Sequence, residues 1–222
     1  MTEILDLTYD IQNNMMTFDA PWHPPVSVDQ IGKLDKVGRE TRKISFGTHT
    51  GTHIDAPAHF IKNGSTIDIL PLERLIGEIQ IIDLSFLKNN TKVTREMLQN
   101  FKTSKKMLFK FGWGKHWNTS LFFKSHPYFS LDAANYLISQ KVELIALDTP
   151  SPDDPKSLPR ADFRNQSEDS PIHKTFLRHD VILVEYLANL QTLTDYENWS
   201  IIALPLKIRG ADGSPARVCI YR

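Results

Sequence analysis

Cysteine is nearly missing from this chain. Cys219 is the only one in 222 residues, so no intrachain disulfide can form and a reducing compartment is expected. An excess of charge of either sign is missing too. Lys plus Arg and Asp plus Glu both number 26, which offers nothing to nucleic acid or an anionic membrane and leaves self-association open. No apolar run reaches the ~20 residues of a membrane span. The start, MTEILDLTYD, lacks the basic and apolar regions of a signal peptide. Together these absences predict a cytoplasmic protein without a nucleic-acid or membrane partner. Repeats, low-complexity tracts and linkers are also absent, so residues 1–222 are expected to form a single domain with one sizeable core.

What is abundant is histidine, in one place. Residues 49–60 read His-Thr-Gly-Thr-His-Ile-Asp-Ala-Pro-Ala-His-Phe, so three of the chain's eight histidines and one carboxylate fall together. His49, His53, Asp55 and His59 are candidate metal ligands or proton carriers, because imidazole suits zinc, iron and similar ions and a carboxylate adds charge and a bridging option. A helix would stack His49 over His53, but Thr48, Thr50, Thr52 and Ile54 are β-branched, and Gly51 and Pro57 interrupt the run. The H-E-x-x-H pattern of helical zinc proteases is not present. An extended chain with a turn at Gly51 fits better: His53 and Asp55 then point the same way, and the turn folds His49 back beside them. The bland alternative is a histidine-rich surface loop. The alternation of Gly51, Ala56 and Ala58 with the polar residues argues against it.

Strands are expected at 4–8, 43–48, 78–84, 106–111, 143–147, 181–184, 200–208 and 217–221, with helices from Thr94 to Asn100 and from Ser130 to Gln140. Ser170-Pro171 reads as an N-cap and first helical residue of a helix ending near Arg178 or His179. Strands mixed with few helices argue for an α/β fold with a mixed sheet. Cys219, in a predicted strand, reads as a small core residue. Residues 150–171 carry five prolines and make the longest loop, of the kind that serves as a lid or an oligomer contact. Residues 13–28, with three more prolines, form a second irregular stretch.

A second ligand set has to come from elsewhere. His173 on the helix and Glu185 at the end of Val-Ile-Leu-Val are the best candidates, since a carboxylate closing a buried strand needs a compensating partner. A metal is one such partner, and a nearby Arg or Lys is the other.

The segment from His49 to Phe60 closely resembles the signature of the cyclase-like metal-dependent hydrolases, which include bacterial kynurenine formamidase (an arylformamidase) and isatin hydrolase. The resemblance runs nearly end to end, through Asp6-Leu7-Thr8, Leu147-Asp148-Thr149-Pro150-Ser151, His173 with Glu185, and Leu204–Ile208 with Gly213–Arg217. It implies a swivelling β/β/α fold and a homodimer or larger assembly. It also implies one or two divalent ions per subunit, zinc foremost and manganese the alternative. His49, His53 and Asp55 would serve one ion and His173 and Glu185 the second, with Asp55 bridging and His59 carrying protons. The implied reaction is hydrolysis of a non-peptide C–N amide bond by metal-activated water, foremost that of N-formylkynurenine to kynurenine and formate. The alternatives are a cyclic amide or lactone substrate, as in isatin hydrolysis, and a metal-binding paralogue without turnover.

A small aromatic amide would need aromatic contacts. Phe18, Trp22 and Trp113 lie in or near predicted loops and are the candidates, with Phe60 and Tyr128 as further aromatics. The chain departs from the resemblance at Phe18-Asp19-Ala20-Pro21-Trp22, where many members carry a Tyr-Pro-Gly-Asp-like segment. It departs again at Tyr186, where many have a smaller residue or Gly, and at Ile172, where some have another His.

Overall fold

A computed structural model describes residues 2–20, 22–157 and 169–222. The strands in chain order are β1 (Ile4–Asp6), β2 (Ser27–Gly32), β3 (Thr41–Ser45), β4 (His53–Asp55), β5 (Ile76–Glu78), β6 (Gln80–Asp83), β7 (Lys92–Val93), β8 (Lys106–Lys110), β9 (Tyr128–Phe129), β10 (Leu144–Leu147), β11 (Ile182–Glu185), β12 (Ser200–Pro205) and β13 (Gly213–Tyr221). Nine of them make one mixed sheet in the order β5-β12-β13-β4-β11-β10-β8-β6, with β1 added on β13. β6, β8, β10 and β11 run parallel to one another, whereas β4, β13, β12, β5 and β1 pair antiparallel. The fold is thus α/β with a mixed sheet, and its two halves meet at the β4–β11 pair.

The central strands are buried on both faces, so each contributes alternately to two cores. Leu108, Leu144, Ala146, Ile182 and Val184 face one core, which β12 and β13 close with Ile201, Ala203, Val218 and Ile220 by bending the sheet back towards a barrel. Met107, Phe109, Ile145, Leu147 and Leu183 face the other. The helices Leu131–Ser139 and Pro171–Arg178 cover that side with Ala133, Leu137, Ile172 and Phe176. At roughly 1.5–3 kcal/mol for each large side chain removed from water, these two layers dominate the stability.

The expected elements around 106–110, 131–139, 144–147 and 171–178 are present within a residue or two of their predicted ends. Ser130 caps its helix as expected, accepting from the Ala133 N–H at 3.3 Å. Two expectations fail. The strand expected at 43–48 ends at Ser45 and belongs to an exposed hairpin, β2–β3, which pairs with no other strand. Ser170 does not cap the second helix: its backbone is left-handed at φ 49° and its side chain makes no cap bond. Cys219 lies in β13 and is only partly buried. The loop expected over 150–171 falls largely on residues 158–168, outside the described residues.

One polar pin ties the sheet edge to the chain before β12. Lys110 is 8% exposed, and its Nζ lies 3.3 Å from Asp83 Oδ2, 3.0 Å from the Leu193 carbonyl and 2.9 Å from Tyr196 Oη. Tyr196 also donates to Asp83. Burial alone would raise the Asp83 carboxyl, but hydrogen bonds from Ser85 and Tyr196 and the Lys110 charge hold it down at about 2. A depressed carboxylate contributes stability that is present above its ordinary pKa and is lost as pH falls through the depressed one. We expect wild type to exceed Asp83→Asn by on the order of 1 kcal/mol near pH 6, after allowance for solvent screening. Urea melts should show this gap closing between about pH 4 and pH 2, and a pH-independent gap would count against the assignment.

Candidate active site

β4 brings the histidine segment into the sheet. Its three residues are all buried, with Ile54 turned into the core and His53 and Asp55 turned the other way, as alternation requires. In the antiparallel register Glu185 lies opposite His53, so the end of β11 faces the same side. The helix Pro171–Arg178 lowers His173 onto this pair. His53 Nε2 is 3.2 Å from Asp55 Oδ1 and 3.6 Å from Glu185 Oε2, while His173 Nε2 is 3.4 Å from Asp55 Oδ2 and 3.1 Å from Glu185 Oε1. All four residues are at most 6% exposed.

The tautomers follow from the outer contacts. His53 Nδ1 lies 2.8 Å from the Gly51 carbonyl, an acceptor only, so Nδ1 carries the proton and Nε2 presents a lone pair inward. His173 Nδ1 donates in the same way to Asp153 Oδ2 at 2.5 Å. Asp153 also accepts the backbone N–H groups of Ile172 (2.6 Å) and His173 (3.1 Å), which makes it the cap that Ser170 does not supply. Asp153 escaped the sequence reading because Asp is an ordinary loop residue and nothing local marks its reach to residue 173. Asp153→Asn is expected to weaken metal retention ~10- to 100-fold with little change in fold, as measured by competition with a coloured chelator. Unchanged retention would show that His173 needs no such support.

Gly51, at φ 58°, makes the turn that returns His49 to the cluster. Gly213 makes room for it, since a Cβ there would lie 2.7 Å from His49 Cε1. His49 Nδ1 lies 2.7 Å from Asp55 Oδ1, and its Nε2 lies 2.8 Å from Asp212 Oδ2. Asp212 also lies 3.2 Å from His59 Nδ1 and 3.0 Å from Thr48 Oγ1. Burial opposes a charge on His49, yet Asp55 and Asp212 outweigh it and push the ring up to about 10. Hydrogen bonds from His49 and then His59 hold Asp212 well below the usual carboxylate range. Burial and the neighbouring His49 charge push His59 down, so its ring is neutral. Asp212 is the second residue that the sequence did not disclose, more than 150 positions from both of its histidine partners.

Four polar atoms at the centre ask for a cation. Asp55 Oδ2 and Glu185 Oε1 are buried with His173 Nε2 beside them, at 3.4 and 3.1 Å, while His53 Nε2 has a lone pair to give. Burial opposes a charge on His173, yet Glu185 and Asp153 push the ring well above its ordinary value, so it would have to release a proton to become a ligand. Burial raises both carboxyls; the histidines, led by His49, bring Asp55 well below its ordinary value, whereas Glu185 stays raised with Asp55 beside it. Ligand atoms of His53, Asp55 and Glu185 all lie within 4.8 Å of one another, as do those of His49, Asp55 and His59. The donor set therefore fits one or two divalent ions, with Asp55 common to both groups. His49 would have to release a proton to become a ligand.

These groups form the closed end of a cavity of about 470 Å³. Phe18, Trp22, Phe60 and Tyr186 are the aromatic residues that line the rest of it; Phe18 packs edge-on to Phe123 at 5.8 Å, and Trp22 is half exposed. Trp113, expected as a third substrate contact, does not line this cavity. It is 2% exposed in the second core, where its indole N–H donates to the Phe122 carbonyl at 2.9 Å. The turn after β8 is drawn inward by Asp148, which accepts from the Phe111 and Trp113 N–H groups, both at 2.8 Å, and is itself pushed up to about 6 by burial.

Comparison with known proteins gives the family and the fold. The model of the family described as "Putative cyclase" matches residues 5–154. Kynurenine formamidase of Bacillus cytotoxicus is 31% identical over 228 residues, covering 99% of this chain and 97% of that one. An isatin hydrolase bound to the product analogue thioisatinate superposes with a TM-score of 0.87 at 24% identity, covering 100% and 92% of the two chains. A structure described as a "predicted metal-dependent hydrolase" from Bacillus stearothermophilus gives 0.71 at 26%, covering 100% and 98%.

Proposed function

Since the chain belongs to this cyclase family of metal-dependent hydrolases, we propose that it cleaves a non-peptide amide bond, and that its substrate is an aryl formamide of the N-formylkynurenine type. The observation that carries this reading is the pair of buried carboxylates, Asp55 and Glu185, set against the inward nitrogens of His53 and His173 in a cavity that Phe18, Trp22 and Phe60 help to line. His53, Asp55, His173 and Glu185 would hold one ion, and His49 with Asp55 a second, zinc being the first choice and manganese the alternative. A divalent ion there supplies Lewis-acid polarisation of a carbonyl and lowers the pKa of water towards neutrality.

The chain's own residues supply the rest. His59 is neutral, and its Nδ1–H is engaged by Asp212, so Nε2 is the atom free to take a proton and pass it to the leaving nitrogen. Asp212 sets that tautomer and keeps the ring oriented, much as a buried Asp does for a catalytic His. Phe18, Trp22 and Phe60 offer flat apolar area to an aryl group. We treat residues 1–222 as one domain that works as a homodimer or larger homo-oligomer in a reducing cytoplasm. The assembly is supported by the isolated β2–β3 hairpin, which exposes Ile31 (65%) and Ile44 (55%) and would be marginal alone in water. The compartment rests on the single, unpaired Cys219.

The test is a metal analysis and an assay on one sample purified without chelators. About one or two equivalents of divalent metal are expected, in keeping with such donor sets, with hydrolysis of N-formylkynurenine that stops with chelator and returns with zinc or manganese. A metal-bearing protein that ignores aryl formamides but opens lactams or lactones would move the substrate class. Failure to hold zinc or manganese at all would overturn the reading.

A further inference from the structure

Tyr186 has a backbone that a tyrosine rarely adopts. Its φ is 57°, in the left-handed region, and among the described non-glycine residues with positive φ it is the only aromatic one. The surroundings enforce this conformation: Tyr186 N–H donates to the Thr149 carbonyl at 3.2 Å, and its own carbonyl accepts from Thr52 Oγ1 at 2.7 Å. The consequence is geometric. Neighbours on a strand point to opposite faces, but the left-handed turn at the end of β11 lets both Glu185 and Tyr186 line the cavity. Strain held in place beside a cluster of site residues points to a role there.

The ring packs against aromatic neighbours, with Phe122 at 5.4 Å, Phe123 at 6.0 Å, Trp117 at 6.2 Å and the His53 ring at 5.1 Å. A phenylalanine would serve that packing equally well. The hydroxyl is the part that packing does not explain. It makes no hydrogen bond to any described residue, and Tyr186, although only 4% exposed, is one of the residues that line the cavity beside Glu185 and His53. A phenol placed this way is a donor awaiting an acceptor that arrives with the ligand.

We propose that the Tyr186 hydroxyl contacts the substrate, donating a hydrogen bond to the oxygen of the scissile carbonyl at the His53–Glu185 end of the cavity. This assignment rests on the hydrolase reading above. A donor aimed at the oxygen that gains negative charge strengthens as the amide is attacked, so it acts on kcat more than on KM.

Tyr186→Phe preserves ring and packing and removes only the donor. Two readouts are taken on the metal-loaded protein: turnover of N-formylkynurenine, and calorimetric affinity for phenylphosphonate, a tetrahedral anion that mimics the attacked carbonyl. We expect kcat to fall ~10²-fold with KM within about threefold, and phenylphosphonate to bind ~10-fold more weakly, while metal content and melting temperature stay at wild-type values. Equal affinity of both proteins for phenylphosphonate would overturn the proposal, whatever the turnover. If wild type turns over no aryl formamide, the hydrolase reading fails separately, and the phenylphosphonate comparison still decides the role of Tyr186.

Discussion

Asp55→Asn should leave the protein unable to hold its metal. Asp55 is the only residue common to both donor groups, with its oxygens 2.7 Å from His49 Nδ1, 3.2 Å from His53 Nε2 and 3.4 Å from His173 Nε2. The amide keeps the volume but removes a full negative charge from a site that must balance two or four positive ones, and its NH2 group cannot accept. Ligand binding to the native state stabilises it by about 2.7 kcal/mol when metal is at 100 times its dissociation constant. Wild type is therefore expected to melt several degrees higher with metal than after exhaustive chelation. In Asp55→Asn the two melting curves should coincide, and metal analysis should return less than about a tenth of an equivalent. A variant that keeps its full metal complement would show that Asp55 is not the shared ligand and would remove the basis for a two-ion centre.

His59→Ala is expected to abolish most turnover while sparing metal. General acid–base help of this kind contributes ~10²–10⁴ in rate, and that is the expected loss in kcat on N-formylkynurenine. The site makes this a sharp test, because His59 lies close enough to Asp55 and His49 for its nitrogen to belong to a donor group. Loss of turnover with metal intact marks a proton carrier. Loss of both marks a ligand and would withdraw the catalytic role. Retention of both would mean that another group moves the proton. Asp212→Asn complements the experiment: it leaves His59 in place and removes the carboxylate 3.2 Å from its Nδ1. A smaller loss than that of His59→Ala fits a positioning residue.

The part of this centre that could be read in the sequence is the part that local geometry governs. His53 and Asp55 share a face because side chains two apart on a strand must do so, and β-branched neighbours with Gly51 and Pro57 make a strand the favoured backbone there. His173 and Glu185 stood out because a helix start and a buried strand with a terminal carboxylate are also local patterns. The central strands and the Ser130-capped helix follow from the same kind of rule.

What the sequence did not disclose depends on pairing across distance. Asp153 and Asp212 look like ordinary loop aspartates, and only the folded chain shows that one carries His173 and the other joins His49 to His59. Trp113 looked available in its Gly-flanked turn, but the Asp148 carboxylate draws that turn inward and the core takes up the ring. Of the β2–β3 hairpin only part of β3 was legible, within the strand expected at 43–48, and β2 was not, because the hairpin buries almost nothing in its own chain. Which residues can bind a metal, and which way each points along its own strand or helix, was determined by the sequence through side-chain chemistry and backbone period. Which carboxylate orients which imidazole, and which aromatic faces the cavity, was decided only by tertiary structure, since hydrogen bonds and packing between residues 20 to more than 150 positions apart leave no trace in local order.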